Sequence, residues 1–344
     1  MDEIPKPDEP LRIGLTYNLK KNLQSEIADN EAEYDNIETV LAIKSALEDC
    51  NTRVELLEAT EKLLPALALH SVDIVFNIAE GIHGRGREAQ LPAILNFLQI
   101  PFTGSDETTM CIALDKALTK RLLATYHIRT PKYSVITKDR QKWTDFTFPA
   151  VVKPNAEGSS KGISDVSVVS NMSDLRALIS KNMSLYKQDM LVEEYIDGRE
   201  FTVGIIGNDS DTRVFSPMEI IYLDANEYNI YSYTVKQNYK KLIRYECPAD
   251  ISRQTETEMI NTARKIYDIL SCKDFARIDF RLSSTGKLYF IEINTLPGLA
   301  PGYSDFPMLA EFNGVDYVSL VRSVLNSALK RYGLNDCMLR GDKL

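Results

Sequence analysis

The residues best suited to chemistry lie on two short apolar segments near the C-terminal end, Arg277-Ile-Asp279-Phe-Arg281 and Glu292-Ile-Asn294. Side chains two apart on a strand share a face, so Arg277, Asp279 and Arg281 fall together, as do Glu292 and Asn294. Joined across Ser283 to Gly286 as a hairpin, the two segments set a cation and hard oxygen donors on one surface. Such donors suit magnesium, which is held by a few side chains plus substrate phosphates. A charge ladder across a hairpin, at roughly 0.2 to 1 kcal/mol per pair, would explain the charges as well. It does not explain why Asn294 runs directly into Thr-Leu-Pro-Gly298.

Two further segments carry related chemistry. Lys153-Pro-Asn-Ala-Glu-Gly-Ser-Ser-Lys-Gly162 follows an apolar strand and combines a lysine with a Gly/Ser loop. Backbone N–H groups of such a loop can meet phosphate oxygens while the lysine supplies a point charge. The same composition also serves a plain hairpin turn. Leu191-Val-Glu193-Glu194-Tyr-Ile196, followed by Glu200, could offer adenine a carboxylate and a backbone edge, with Glu200 reaching ribose hydroxyls.

These groups need a scaffold to position them. Over the first hundred residues short apolar runs (Arg12 to Thr16, Val54 to Leu57, Val72 to Phe76) alternate with helical spacing (Thr39, Ile43, Ala46, Leu47; then Leu91, Ile94, Leu95, Leu98), the pattern of a parallel sheet covered by helices. The polar stretch Asn18 to Asn36 interrupts it after the first strand, where ligand loops of open α/β sheets gather. A helix from Thr108 to Ala124 leads into a strand-rich part, Tyr133 to Ile136, Ala150 to Lys153, Val166 to Val169, Met190 to Glu194 and Phe201 to Ile206, with a helix from Asp174 to Asn182. Leu223 to Tyr245 reads as a long polar loop. A helix from Glu256 to Leu270, the hairpin strands Ala276 to Leu282 and Lys287 to Ile293, and a helix from Val315 to Tyr332 complete the chain. The boundaries expected are 1–106, 107–192 and 193–334, with 335–344 a tail.

Composition narrows the function classes. With 344 residues and 44% apolar content, more than one core can form. No stretch approaches the roughly 20 apolar residues of a membrane span, and the first ten residues do not resemble an export signal. A formal charge of −9 argues against a nucleic-acid partner, so phosphate chemistry needs local cations. Cys50, Cys111, Cys247, Cys272 and Cys337 include no CxxC pair and read as reduced cytoplasmic thiols, mostly packed.

The signals also come in one family's order. From Arg12 to Leu334 the chain resembles D-alanine:D-alanine ligase and its ATP-grasp relatives, on FNIAEGIHGRGREAQLP with IPFTGS, LDKALTK, VVKPNAEGSSKGIS, LVEEYIDGREFTV, ECPA and CKDFARIDFRLSSTGKLYFIEINTLPGL. The resemblance implies an α/β, ATP-grasp architecture: an N-terminal parallel-sheet domain, then two α+β subdomains clasping ATP. It implies a ligase that joins a carboxylate to an amine through an acyl phosphate, with ATP and two magnesium ions, manganese able to substitute. It further implies amino-acid substrates and a cytoplasmic homodimer without membrane or nucleic-acid partners.

By the same resemblance Lys116 and Lys153 hold ATP phosphates beneath the loop carrying Ser159 and Ser160, and Lys236 stands near the terminal phosphate. Glu193, Glu194 and Ile196 meet adenine and Glu200 the ribose. Asp279, Glu292 and Asn294 ligate magnesium. Arg277, Ser159 and the Pro297-Gly298 turn serve the acyl centre. For the substrate ammonium and carboxylate, Glu33, Glu80 and Ser304 are the candidates, with Glu38 a fallback.

The chain departs from the family where substrate would bind. The Gly-rich turn after strand one is replaced by the polar stretch, Gln237 stands where relatives often place tyrosine and is expected to border substrate, and Ala300-Pro-Gly-Tyr303 replaces a small polar run. An amino-acid ligase of another substrate pair and a catalytically inactive nucleotide-binding homologue are therefore the alternatives. A nicotinamide-dependent dehydrogenase lacks its glycines after Leu15-Thr16-Tyr17-Asn18, and a protein kinase lacks HRD and DFG.

Overall fold

The structure is a computed structural model that describes residues 10–21, 31–48, 52–69, 71–138, 146–158, 167–223 and 228–334. The first unit runs β1 (Leu11–Tyr17), α1 (Ile37–Glu48), β2 (Thr52–Glu58), α2 (Leu63–Leu69), β3 (Ile74–Asn77) and α3 (Arg87–Phe97). Its three strands form a parallel sheet in the order β2-β1-β3, with Leu15 opposite Leu56 and Phe76. β1 is buried on both faces, as a central parallel strand must be. α1 buries Thr39, Val40, Ile43, Ala46 and Leu47, a stripe at helical spacing.

Next come α4 (Glu107–Leu114) and α5 (Lys116–Ala124). One helix was expected from Thr108 to Ala124, and the break at Asp115 corrects this. Asp115 adopts extended backbone and accepts from the N–H of Leu118, capping α5. The side chain of Asn155 also donates to Asp115. The break places Lys116 at the first turn of a helix anchored to the 155–158 loop.

The second sheet comprises β4 (Tyr133–Ile136), β5 (Ala150–Pro154), β6 (Val168–Val169) and β7 (Met190–Glu194), ordered β4-β7-β5-β6, with α6 (Met172–Tyr186) packed on it. The third sheet contains β8 (Gly198–Ile206), β9 (Arg213–Val214), β10 (Met218–Tyr222), β11 (Ile243–Glu246), β12 (Phe275–Ser283) and β13 (Leu288–Asn294). Its path is β11-β10-β8-β12-β13, with β9 on β8. α7 (Tyr233–Gln237) and α8 (Tyr239–Leu242) precede β11, so the stretch expected as a long polar loop carries two short helices and enters the sheet. α9 (Arg253–Ile269) covers this sheet. α10 (Asp305–Phe312) and α11 (Tyr317–Arg331) share a core with β1, β3 and α1, which fastens the first unit to the end of the chain.

Cys272 is buried, but Cys111 is exposed, so thiol packing is less general than expected. No helix among the described residues is long and apolar enough to cross a membrane.

Candidate active site

The hairpin β12–β13 sets Arg277 opposite Asn294 and Asp279 opposite Glu292. Arg277 donates to Asp279 at 2.9 and 3.1 Å and lies 3.3 Å from Asp305. Asp279 also accepts from Thr202 at 2.6 Å and from the Asn294 amide at 3.3 Å. Lys116 lies 3.5 Å from Glu292 and donates to the carbonyl of Glu157. Burial opposes ionisation of Glu292, but Lys116, Lys153, Lys236 and Arg277 outweigh it and hold its carboxyl at about 2. The site therefore keeps a fixed anion among four cations. Lys236, on α7, is half-buried over the Tyr231 ring at 4.9 Å; desolvation lowers its pKa, and Arg277 acts in the same direction.

One cavity is lined by Lys153, Glu193, Glu194, Ile196, Glu200 and Lys236, together with Asp279 and Glu292. Glu193 is nearly sealed, 3% exposed, with Lys153 at 2.8 Å and Lys120 at 2.9 Å. Glu200 accepts from Tyr222 at 2.8 Å and Arg281 at 3.2 Å. Arg281 also donates to the carbonyls of Ile196 and Asn229, bracing the cavity wall.

A second cavity shares Lys236 and is lined by Lys116, Arg277, Asn294 and Gly298 together with Glu33, Glu80 and Glu88. A third, sharing Glu33, Glu80 and Gly298, reaches Ser304, Tyr303 and Asp35. Ser304 accepts from the Ala300 N–H at 3.2 Å, and a Cβ on residue 298 would stand 2.8 Å from its hydroxyl, so the turn requires Gly298. Ser159 and Ser160 lie outside the described residues.

The structure thus gathers Lys116, Lys153, Lys236, Arg277, Asp279, Glu292, Asn294 and Gly298 around connected cavities. It leaves two expectations aside. Gln237 is exposed, lines none of these cavities and donates to the Tyr233 hydroxyl, because the turn of α7 that brings Lys236 to the cavities points its neighbour outward. Glu38 is exposed in the first turn of α1. Sequence reasoning missed Arg87, Glu88, Lys120 and Asp305. A signal existed for Lys120, four residues after Lys116 and so on the same helical face.

The fold is that of the ATP-grasp ligases, as its likeness to solved structures shows. Solved structures of similar fold include D-alanine–D-alanine ligase from Bacillus anthracis complexed with ATP (TM-score 0.72, 22% identity, covering 95% of this chain and 99% of that one) and the ligase from Coxiella burnetii (TM-score 0.71, 18% identity, 95% and 96%). Among curated sequences, the D-alanine–D-alanine ligase of Bordetella petrii is 31% identical over 94% of both chains. That of Cupriavidus pinatubonensis is 33% identical over 72% of this chain and 74% of its own, and an uncharacterised protein of Sinorhizobium fredii is 31% identical over 85% and 87%. The family model described as D-ala D-ala ligase C-terminus matches residues 122–326. The chain belongs to the D-alanine–D-alanine ligase family, ATP-dependent ligases that form a C–N bond.

Proposed function

We propose that the chain joins two amino acids, with ATP in the cavity of Lys153, Glu193 and Glu200 and the amino acids in the cavities beyond Lys236. The observation that carries this reading is the meeting of these spaces at Lys236 beside the β12–β13 floor, where Arg277, Asp279, Glu292 and Asn294 converge. In this reading the carboxylate of the first amino acid attacks the γ-phosphorus of ATP, ADP leaves and an acyl phosphate forms; a neutral amine then attacks the acyl carbon, expelling phosphate and losing a proton as the amide forms.

Lys116, Lys153 and Lys236 hold phosphate oxygens, and Ser159 and Ser160, which lie outside the described residues, serve the same phosphates. Glu193, Glu194 and Ile196 border adenine and Glu200 the ribose. Arg277 and the backbone at Gly298 meet the oxygen that gains charge at the acyl centre. Ser304 takes the acceptor carboxylate. Asp279, Glu292 and Asn294 are hard oxygen donors, with Glu292 held ionised, and fit two magnesium ions, with manganese able to substitute. Bound there, the metal would withdraw charge from the phosphoryl group in flight. Exposed Leu64, Leu69, Phe97 and Leu98 on the first unit support a homodimer. A cytoplasmic setting completes the reading.

The test is phosphate release from ATP across a panel of D- and L-amino acids, with products identified by mass. Release that depends on an amino acid and yields a dipeptide is expected. Release that ignores every amino acid, or none at all with ATP bound, would overturn it.

A further inference from the structure

Glu33 was the first candidate for the ammonium of the carboxylate donor. Its carboxylate is already engaged: Arg87 donates to its two oxygens at 2.5 and 2.7 Å, and the N–H of Gly158 donates to one of them at 2.5 Å. Glu33 and Arg87 side chains are 4% and 6% exposed. Arg87 also donates to the carbonyl of Ala156 and lies 3.2 Å from Glu157. This clasp ties segment 31–36 and α3 to the loop after β5. Gly81 makes room for it, since a Cβ there would stand 2.3 Å from the Arg87 carbonyl oxygen.

Beside the clasp are two carboxylates with no such engagement. Oxygens of Glu33, Glu80 and Glu88 lie within 4.8 Å of one another. Glu88 is 7% exposed, lines the cavity, and has no hydrogen bond or ion pair from its side chain among the described residues. Glu80 has none either and lines both substrate-side cavities. The cations facing the cluster are Arg87, which pairs with Glu33 and Glu157, and Lys116, which serves Glu292. Four carboxylates (Glu33, Glu80, Glu88, Glu157) therefore face two cations, and Glu80 and Glu88 remain uncompensated.

Resting on the ligase reading, we propose that Arg87 withholds Glu33 from substrate and that the Glu80–Glu88 pair receives a primary ammonium on the carboxylate donor. Arg277, Lys236 and Lys116 line the same cavity. A cation tethered to a carboxylate matches both the acidic and the basic lining residues of this cavity, whereas a free divalent ion matches the carboxylates alone and is repelled by the cations. Burial pushes both carboxyls up, Glu88 to about 7, with Glu33 adding repulsion and Arg87 opposing it. Lys116 also opposes the shift at Glu88, where Glu157 adds to it, and Asp35 adds to it at Glu80. An arriving ammonium favours the ionised carboxylate of Glu88, so its uptake releases a proton around pH 7 and strengthens as pH rises through 7.

The test is calorimetric binding of D-alanine, L-alanine and their des-amino analogue propionate to the full chain with ADP and magnesium, alongside phosphate release with ATP. Wild type is expected to prefer alanine of one hand over propionate. Glu80→Gln should cut that preference by about thirtyfold or more, as for a charge deprived of its buried partner. Glu33→Gln should keep the preference and instead weaken ATP, through the lost clasp on Gly158. Melting temperatures check that both variants fold. Equal binding of alanine and propionate to wild type, absence of binding by both, or loss of preference in Glu33→Gln but not in Glu80→Gln would each overturn the assignment. So would manganese bound without nucleotide by wild type and lost in Glu80→Gln, which would make the pair a metal site. Selective alanine binding without any ligation would sink the ligase reading alone. Ligation indifferent to the amino group would sink the receptor alone.

Discussion

Replacing Glu193 by Gln should be among the costliest single changes in the chain. Its carboxylate separates Lys153 and Lys120, whose side chains are 4% and 0% exposed. At 2.8 to 2.9 Å each attraction is roughly 6 kcal/mol at an effective dielectric of about 20. Removing both does not cost their sum, because a lysine can escape by losing its proton. From an unfolded value of 10.5, deprotonation at pH 7 costs about 3.5 × 1.36, or about 5 kcal/mol. Burial already lowers Lys120 to about 8, so it is the lysine that yields. The expected loss at pH 7 is therefore about 3 to 5 kcal/mol, the range for a buried pair stripped of one partner.

The sign with pH follows from the same numbers. In the variant the folded lysine has a depressed pKa, so between that value and 10.5 the unfolded state binds the extra proton and folded stability rises with pH. By pH 9 the variant should regain about 2 × 1.36 kcal/mol, while wild type, whose Lys120 is already lowered to about 8, regains about 1 × 1.36, so the penalty should shrink by about 1.4 kcal/mol. Urea unfolding without nucleotide, at pH 7 and pH 9, measures this. Lys120→Met combined with Glu193→Gln should recover part of the loss. An unchanged urea midpoint at pH 7, or a deficit that widens at pH 9, would refute the argument.

Glu88→Gln should stabilise the protein above pH 7. The wild-type carboxyl, raised to about 7 by burial against 4.5 unfolded, keeps a proton the unfolded chain has released, so wild type loses stability from pH 4.5 to 7. The gap should reach about 3 kcal/mol and vanish below pH 4; a pH-independent gap in urea titrations would contradict it. Glu292→Gln and Asn294→Ala should each abolish turnover with circular dichroism unchanged, and wild-type-like rates at low magnesium would remove them from the metal site. Arg277→Met should lower kcat far more than it weakens ATP, whereas a rise in KM for ATP alone would place Arg277 on ground-state nucleotide.

What was legible in the sequence has a physical pattern. The β12–β13 hairpin could be read because strand alternation carries its whole charged face, and the register pairs Asp279 with Glu292 as that alternation requires. The parallel sheet could be read because β1 and β3 are buried and so written in apolar residues. The break between α4 and α5 was hidden, since hydrophobic spacing continues through it and only Asp115, as a cap, announces it. β10, β11 and the short helices between them escaped because their polar and aromatic residues pack locally around Ile220, Val235 and Ile243 rather than on a long stripe. Arg87 and Asp305 were invisible for another reason: their partners are 54 and 60 to 74 residues away, and no local period encodes such pairs.

Asp305 shows how the remote pieces become one device. It accepts from the hydroxyls of Tyr231 at 2.7 Å and Tyr245 at 2.9 Å, and its other oxygen lies 3.3 Å from Arg277. Burial and the Asp305 charge raise both phenols, so they remain protonated donors. The Tyr239 hydroxyl donates to the carbonyl of Gly302, fastening α8 to the turn before α10. Three tyrosines from the segment preceding and entering β11 thus hold the 302–305 turn, and through Asp305 they hold the guanidinium of Arg277. Lys236 lies on the same segment, over the Tyr231 ring. Since every member of this network is shared, a displacement of the segment moves Lys236 and loosens Arg277 together. One segment therefore sets both the position of Lys236 and the hold on the Arg277 guanidinium, so a substitution at Tyr231 or Tyr245 should disturb both charges at once.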